Sequence, residues 1–243
     1  MTVKILEIYP ELMNLYGERG NIMMLERRLV ECGAEVAVIN VAAGEMIQLD
    51  GIDLVYMGCG TESASLKALE CLKPYKKELS AYIEAGKVML LTGNASELFS
   101  ESIETDGSTV DGLGIFTYKV ERTLKKRFLG DCIFTMSGFD SKVIGFVNKC
   151  SKLSGVTSPL FNVEMGLGND NKVSTEGFIH KNVYATSLIG PLLVRNPHLL
   201  KYIISTIYTV KGEKAEFNCD MSTQFVAYDV ALGELEAVKA SKG

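Results

Sequence analysis

The chain has 243 residues, 47% of them hydrophobic, 23% charged and 8% aromatic, enough to bury a sizeable core without a disulfide or metal to hold it together. Lys and Arg number 25 against 30 Asp and Glu, a formal charge of −5 that argues against nucleic acid or an anionic membrane as the main partner. No apolar run approaches the ~20 residues that cross a bilayer, and Lys4 sits in a short strand-like stretch instead of a signal peptide's basic head, so a cytoplasmic location without membrane insertion is expected.

Residues 3–9 read as a buried strand, apolar, bounded by Pro10 and too short for an independent helix. A helix is predicted from about Asn21, where Ile22, Leu25, Leu29 and Val30 recur near helical spacing, Arg27 and Arg28 point outward and Gly33 follows as a stop. Strands at 35–39 and 53–57 come next, then a helical region over 63–85 broken at Pro74, then a strand at 88–91 ending at Thr92-Gly93-Asn94. Strands separated by helical crossovers pair in parallel, and near-continuous apolar strands suit a sheet covered on both faces. After about Val110 the pattern turns to short β-rich runs at 115–120, 132–135 and 143–146, expected as antiparallel or mixed-sheet extensions. Residues 183–188 are expected to rejoin the main sheet, and 197–208 to form a helix with Leu199, Leu200, Ile203, Ile204 and Ile207 on one face. Beyond Lys211 the apolar pattern weakens except at 225–230. No repeat, low-complexity tract or linker divides the chain, so residues 1–243 are expected to form one domain.

The six cysteines, Cys32, Cys59, Cys71, Cys132, Cys150 and Cys219, stand far apart with no C-x-x-C pair. They signal neither a metal site nor a disulfide scaffold, and reduced core thiols are expected, with no cofactor.

In open α/β sheets, ligands gather beyond the carboxyl ends of the strands, and two corners of this chain fall there. In Val55-Tyr56-Met57-Gly58-Cys59-Gly60 a strand runs into a glycine-flanked turn, which serves either to present N–H groups to an oxyanion or to make a tight turn with positive φ. Met89 to Phe99 carries a strand into a helix across a Gly-containing turn, the place of a nucleophile elbow. That place holds Thr92, and Asn94 or Ser96 also suits a helix cap.

The segment Tyr9-Pro10-Glu11-Leu12-Met13-Asn14-Leu15-Tyr16-Gly17-Glu18-Arg19-Gly20-Asn21 resembles, almost residue for residue, the amino-terminal signature of class I, triad-type glutamine amidotransferases of the cobyric acid synthase branch, above all the GatD-type glutaminase subunits of lipid II isoglutaminyl synthase. Asp53 to Gly60, Lys126-Arg127-Phe128-Leu129-Gly130, Gly145-Phe146-Val147-Asn148, Glu176-Gly177, Gly190-Pro191-Leu192-Leu193 and Asn196-Pro197 follow in family order. The resemblance implies a flavodoxin-like α/β fold, hydrolysis of glutamine to glutamate and ammonia, and delivery of the ammonia to a Mur-ligase-like partner that amidates the glutamate of lipid II in peptidoglycan synthesis.

Departures from the family fall on its chemistry. Where members read Ile-Cys-Gly-Gly, this chain reads Leu91-Thr92-Gly93-Asn94, so the resemblance puts Thr92 in the nucleophile slot. Where they read Tyr-Leu-His-Gly-Pro, it reads Ser187-Leu188-Ile189-Gly190-Pro191, with Ile189 in the base slot. Lys149 and Cys150 follow Asn148 where close relatives read His-Gly. A threonine hydroxyl attacks an amide only when a base takes its proton, and isoleucine offers none. Its β-branched side chain also suits a strained elbow poorly, so Thr92 is expected to relax the turn and use its hydroxyl for capping.

The leading expectation is therefore a pseudoenzyme, a non-catalytic binding or regulatory partner of a Mur-ligase-like protein. Two alternatives stay open: a working amidotransferase with an unconventional nucleophile or a partner-supplied base, and an amino-acid sensor. Gly58, Cys59, Gly60, Gly93, Asn94 and Arg127 are the candidate substrate-binding residues. Cys59 is either a reactive thiol at a helix start or an inert packed one. The resemblance gives Arg127 to glutamine or another carboxylate, while its Lys125-Lys126-Arg127 context equally suits a surface arginine. Asn14, Tyr16, Arg19 and Asn21 form a polar cluster that lines the pocket or holds a partner. His180 and His198 fall outside the base position, and His198 is expected to face solvent.

Overall fold

The computed structural model describes residues 1–170 and 172–242. In the first half, strands β1 (Thr2–Ile8), β2 (Glu35–Val41), β3 (Leu54–Met57) and β4 (Val88–Thr92) alternate with helices α1 (Arg19–Glu31), α2 (Glu62–Leu72) and α3 (Lys76–Glu84). The break expected at Pro74 is a single 3₁₀ turn, Lys73–Tyr75, between α2 and α3. The second half holds β5 (Ser102–Thr105), β6 (Ser108–Asp111), β7 (Lys119–Arg122), β8 (Phe128–Met136), β9 (Phe139–Lys149), β10 (Ser151–Ser154), β11 (Phe161–Met165), β12 (Thr175–Glu176), β13 (Phe178–His180), β14 (Val183–Thr186) and β15 (Leu188–Ile189). Helices α4 (Leu192–Arg195), α5 (Pro197–Val210) and α6 (Ser222–Lys242) end the chain.

The main sheet runs β13-β14-β4-β3-β1-β2, parallel throughout except for the antiparallel edge strand β13. Its strands alternate between two cores, as the period of two requires. Val3, Ile5, Leu54, Tyr56, Val88 and Leu90 pack beneath α1 and α5, while Leu6, Ile8, Val55, Met57, Met89 and Leu91 pack beneath α2 and α3. This flavodoxin-like α/β arrangement places the carboxyl ends of β3 and β4 side by side, with Met57 opposite Leu91. A second, largely antiparallel sheet, β12-β11-β8-β9-β15, and a third, β10-β7-β5-β6, supply the expected extensions. As β14 leaves the main sheet, Leu188 and Ile189 cross to pair with Val147 and Phe146 of β9.

Several expectations are corrected. Of residues 115–120 only the end is strand: Phe116 and Tyr118 instead join Phe178 in an aromatic cluster, with centroids 4.8 and 4.9 Å from its ring. The weakly patterned carboxyl-terminal region contains the 21-residue helix α6, whose Tyr228, Leu232 and Leu235 pack on Ile133 and Ile144 of the second sheet. It also explains why Arg28 does not point outward: Arg28 is 5% exposed, and its Nη2 donates to Gln224 Oε1 of α6 at 2.8 Å. Arg27 is exposed as expected, whereas Val30, expected on the apolar face, is exposed too. His198 likewise lies half-buried against α6, 4.8 Å from the Phe225 ring and 5.1 Å from that of Tyr228, and burial lowers its pKa. Among the described residues no helix is long and apolar enough to cross a membrane.

One carboxylate is buried without compensation. Glu7, on β1, is 2% exposed and its Oε2 has no hydrogen-bond partner among the described residues. Burial raises its pKa, and the charge of Arg19 works against that rise. A carboxyl whose folded pKa is raised binds more protons folded than unfolded, so its contribution to stability is lost as pH rises from the unfolded value through the folded one. Glu7→Gln is therefore expected to stabilise the protein by about 1 kcal/mol at pH 7 and to give no advantage near pH 4. Urea unfolding at the two pH values checks this, and an advantage that grew towards pH 4 would contradict it.

Candidate functional site

Two turns meet at the carboxyl ends of β3 and β4. After β3 comes Gly58-Cys59-Gly60, and neither glycine has positive φ. Both are small because the amino-terminal loop presses on them: a Cβ on Gly58 would stand 2.5 Å from Met13 O, and one on Gly60 would stand 2.5 Å from Leu12 O. Close approach of backbone, not a left-handed turn, is what demands glycine here.

After β4 the left-handed residue is Gly93, at φ +59°, while Thr92 is extended at φ −119° and ψ 150°. The apex of the elbow is thus one residue beyond the position assigned to Thr92 from sequence. Thr92 is fully buried below the turn and caps nothing; its hydroxyl lies 3.0 Å from the Tyr56 hydroxyl. Asn94 and Ser96 do not cap a helix either. Asn94 pairs side chain to backbone with Gly60, accepting from Gly60 N at 2.9 Å and donating to Gly60 O at 2.8 Å, while Ser96 Oγ donates to Gly93 O.

The apex carries no side chain, and its space is taken from across the cleft. A Cβ built on Gly93 would lie 2.4 Å from Cys59 Cβ and 2.6 Å from Cys59 Sγ, so a side chain at 93 and the thiol at 59 exclude one another. Cys59 is 4% exposed. Burial pushes its pKa up to about 12, with the Asn94 backbone N–H pulling down and Glu18, Glu97 and Glu62 adding to the rise. Such a thiol is almost wholly protonated at neutral pH and is a poor nucleophile. Of the amides that flank the cleft, Gly60 N is engaged by the Asn94 side chain.

Around this point lie Glu62, Glu97, Arg127, Asn148, Lys149, Cys150, Ser187 and Ile189, which with Cys59, Gly60, Gly93 and Asn94 line a cavity of about 10 Å³. That is the lower limit for one water and far too small for an amino acid. Ile189 reaches it because β15 pairs with β9. Lys149 is buried, with Nζ donating to Gly168 O at 2.7 Å and to Ser187 Oγ at 3.4 Å; burial lowers its pKa against the pull of Glu176 and Glu97. Glu97 is buried between Arg122, 2.7 Å from its Oε2, and Ser151 Oγ, 2.6 Å from its Oε1.

Arg127 does face the pocket, but its donors are in use: Nη1 to Glu62 Oε1 at 2.8 Å, Nε to Asn148 Oδ1 at 2.6 Å and Nη2 to Asn148 O at 3.0 Å. Of the polar cluster in the amino-terminal loop, only Tyr16 reaches the rim, its hydroxyl accepting from Asn148 Nδ2 at 2.9 Å. Asn14 Oδ1 accepts from the Arg19 backbone N–H, and Asn21 is buried, pinning Tyr56 and Leu193 N. Neither histidine lines the cavity: His180 meets Glu84, and His198 is held by α6.

Residues 4–197 match the CobB/CobQ-like glutamine amidotransferase domain, four-fifths of the chain. The chain belongs to this amidotransferase family. Within it, the chain is 30% identical over 207 residues to the lipid II isoglutaminyl synthase (glutamine-hydrolyzing) subunit GatD of Streptococcus pneumoniae, covering 84% of this chain and 80% of that one. It is 29% identical over 201 residues to the GatD subunit of Staphylococcus aureus, covering 82% of each. The fold is shared with a glutamine amidotransferase structure from Thermotoga maritima, at TM-score 0.53 and 13% identity over 98% of this chain and 94% of that one.

Sequence reasoning had no access to Glu62, Glu97 or Ser187 as pocket residues. Glu62 carries a faint signal, since it opens α2 two residues beyond the glycine turn, behind Thr61 as helix cap. Glu97 lies in the 3₁₀ turn Gly93–Phe99 that leaves β4, and Ser187 lies between β14 and β15. Gly93→Ala is expected to cost about 3 kcal/mol, from a left-handed alanine and its overlap with Cys59. Adding Cys59→Gly is expected to return at least ~1 kcal/mol of that in a double-mutant cycle followed by urea unfolding. Purely additive costs would contradict the reading of one shared space.

Proposed function

We propose that this chain is a GatD-like subunit that no longer hydrolyses glutamine and acts as a non-catalytic binding or regulatory partner of a Mur-ligase-like protein in lipid II amidation. The observation that carries the reading is the elbow: its apex is a glycine, and the side-chain space above it is filled by a buried, protonated thiol from the opposite turn. Three further features agree with it. Ile189 brings no titratable atom to the pocket, neither histidine lines it, and the Gly60 amide beside the apex already holds the Asn94 side chain. In triad hydrolases, loss of nucleophile and base together lowers kcat by about 10⁶-fold. The likeness to GatD subunits over more than four-fifths of this chain supports assembly with a ligase-type partner.

A second reading has one observation of its own. Cys59 Sγ stands where a side chain at the apex would project, so an amidotransferase using that thiol, with a base contributed by the partner, would have its attacking atom in place. Ammonia release separates the two. The purified chain, alone and with its Mur-ligase-like partner, is expected to release no ammonia from L-glutamine above buffer and to take up no covalent adduct from a glutamine-mimicking diazo ketone. Turnover abolished by Cys59→Ala, with an adduct mapped to Cys59 by mass spectrometry, would overturn the proposal in favour of the second reading.

A further inference from the structure

Helix α6 lies beyond residues 4–197, the stretch that matches the amidotransferase domain. One of its faces is accounted for within the chain. Tyr228, Ala231, Leu232 and Leu235 pack on Ile133 and Ile144, the Tyr228 hydroxyl donates to Lys142 O at 2.7 Å, and Lys239 Nζ donates to Glu164 Oε2 at 2.9 Å. The opposite face has no such cover. Val226, Val230, Gly233, Ala237 and Ala240 follow one another at steps of four, three, four and three residues, the spacing that lines one side of a helix for contact with a second helix, and all five are exposed. Val226 and Val230 stand at 62% and 59% exposure. A surface helix ordinarily carries one apolar stripe and turns charge to water, whereas a helix apolar on two sides has two surfaces to bury.

Gly233 adds a separate argument. Glycine inside a helix weakens it, yet a Cβ built at 233 would meet nothing within 4 Å, so no contact inside this chain demands so small a residue. With Ala237 and Ala240 it leaves room for another backbone to come close. The flanks of the seam define what that neighbour carries. Asp229 and Glu236 run along one side and Glu234 along the other, and all three are exposed. The lysines of this region are turned towards the chain itself, Lys142 to Glu164 and Glu236, and Lys239 to Glu164. The seam is therefore apolar between two acidic borders.

We infer that the outer face of α6 is the docking surface for an amphipathic helix of a partner protein, apolar along its own seam and carrying Lys or Arg on both flanks. A second copy of this chain would set acid against acid, Asp229 against Glu234 in a parallel pair and each acidic border against its own copy in an antiparallel one. An anionic bilayer would be repelled by the same groups, since helices that lie on such surfaces border their apolar face with Lys and Arg. No residue of α6 lines the pocket at the elbow, so docking here is independent of whether glutamine is hydrolysed.

The test uses the full chain and three dye-labelled synthetic peptides of about three heptads each, followed by fluorescence anisotropy. One has Leu along its seam and Lys on both flanks, the second has the same seam with Glu flanks, and the third has the composition of the first in scrambled order. The ordered lysine peptide is expected to bind about tenfold more tightly than either of the others. Val230→Glu is expected to weaken that binding about tenfold and to leave Tm in place, because the side chain faces solvent in the free chain. Joint replacement Asp229→Lys and Glu234→Lys is expected to reverse the preference in favour of the glutamate-flanked peptide. Equal binding of the ordered and scrambled lysine peptides would reduce the effect to net charge and overturn the inference, as would Val230→Glu without effect on binding. Sedimentation of the chain alone is expected to give a monomer, and a dimer dissolved by Val230→Glu would assign the face to a second copy and overturn the basic partner.

Discussion

The space above Gly93 admits one side chain, and the character of the pocket follows from which residue supplies it. Three layers of constraint meet there. The sheet register sets Met57 opposite Leu91 and so brings the two turns together. The amino-terminal loop, through Leu12 and Met13, presses the first turn inward until only glycine fits at 58 and 60. The second turn bends through a left-handed glycine whose missing side chain is replaced by Cys59. With the sulfur seated, the Gly60 amide is bound to the Asn94 side chain, and the two turns are tied to one another across the cleft. The pocket is filled from within by a thiol.

Below this lies a polar layer that ties the shut pocket to the sheet. Tyr56, buried at the end of β3, joins the Thr92 hydroxyl to Asn21 of α1. Glu18, fully buried, accepts from Tyr16 N at 2.8 Å and from Gly190 N at 3.4 Å, linking the amino-terminal loop to the residue after Ile189. Buried polar groups in such number are tolerated only when paired, and here the pairings join separate segments, Asn21 to Tyr56, Tyr56 to Thr92 and Glu18 to Gly190. They hold the loops at the sheet's carboxyl edge in one arrangement whether or not chemistry takes place there.

Much of this architecture is legible in the chain, because its strands and amphipathic helices follow the periods that burial imposes. The alternation through residue 92, the break at Pro74, the return of 183–186 to the sheet and the apolar face of α5 all come from pattern alone. The helix α6 does not, since only a narrow set of its residues, Tyr228, Leu232 and Leu235 among them, is apolar and packed. Missing that helix meant misreading Arg28 and His198, whose surroundings it provides. At the site, the glycines at 58, 60 and 93 mark the right corner, but their reasons are tertiary: who presses on them, and whose sulfur fills the gap. A one-residue offset between Thr92 and Gly93 is invisible in a string of letters and plain in a backbone dihedral.

The mutual exclusion of residues 59 and 93 also makes the two positions a single choice. A Cβ at 93 would overlap that of Cys59 at 2.4 Å, and both atoms are anchored directly to backbone, so neither can swing aside as the tip of a long side chain could. Enlarging one of the two residues therefore calls for glycine at the other, and a substitution at either has to be judged as half of a pair.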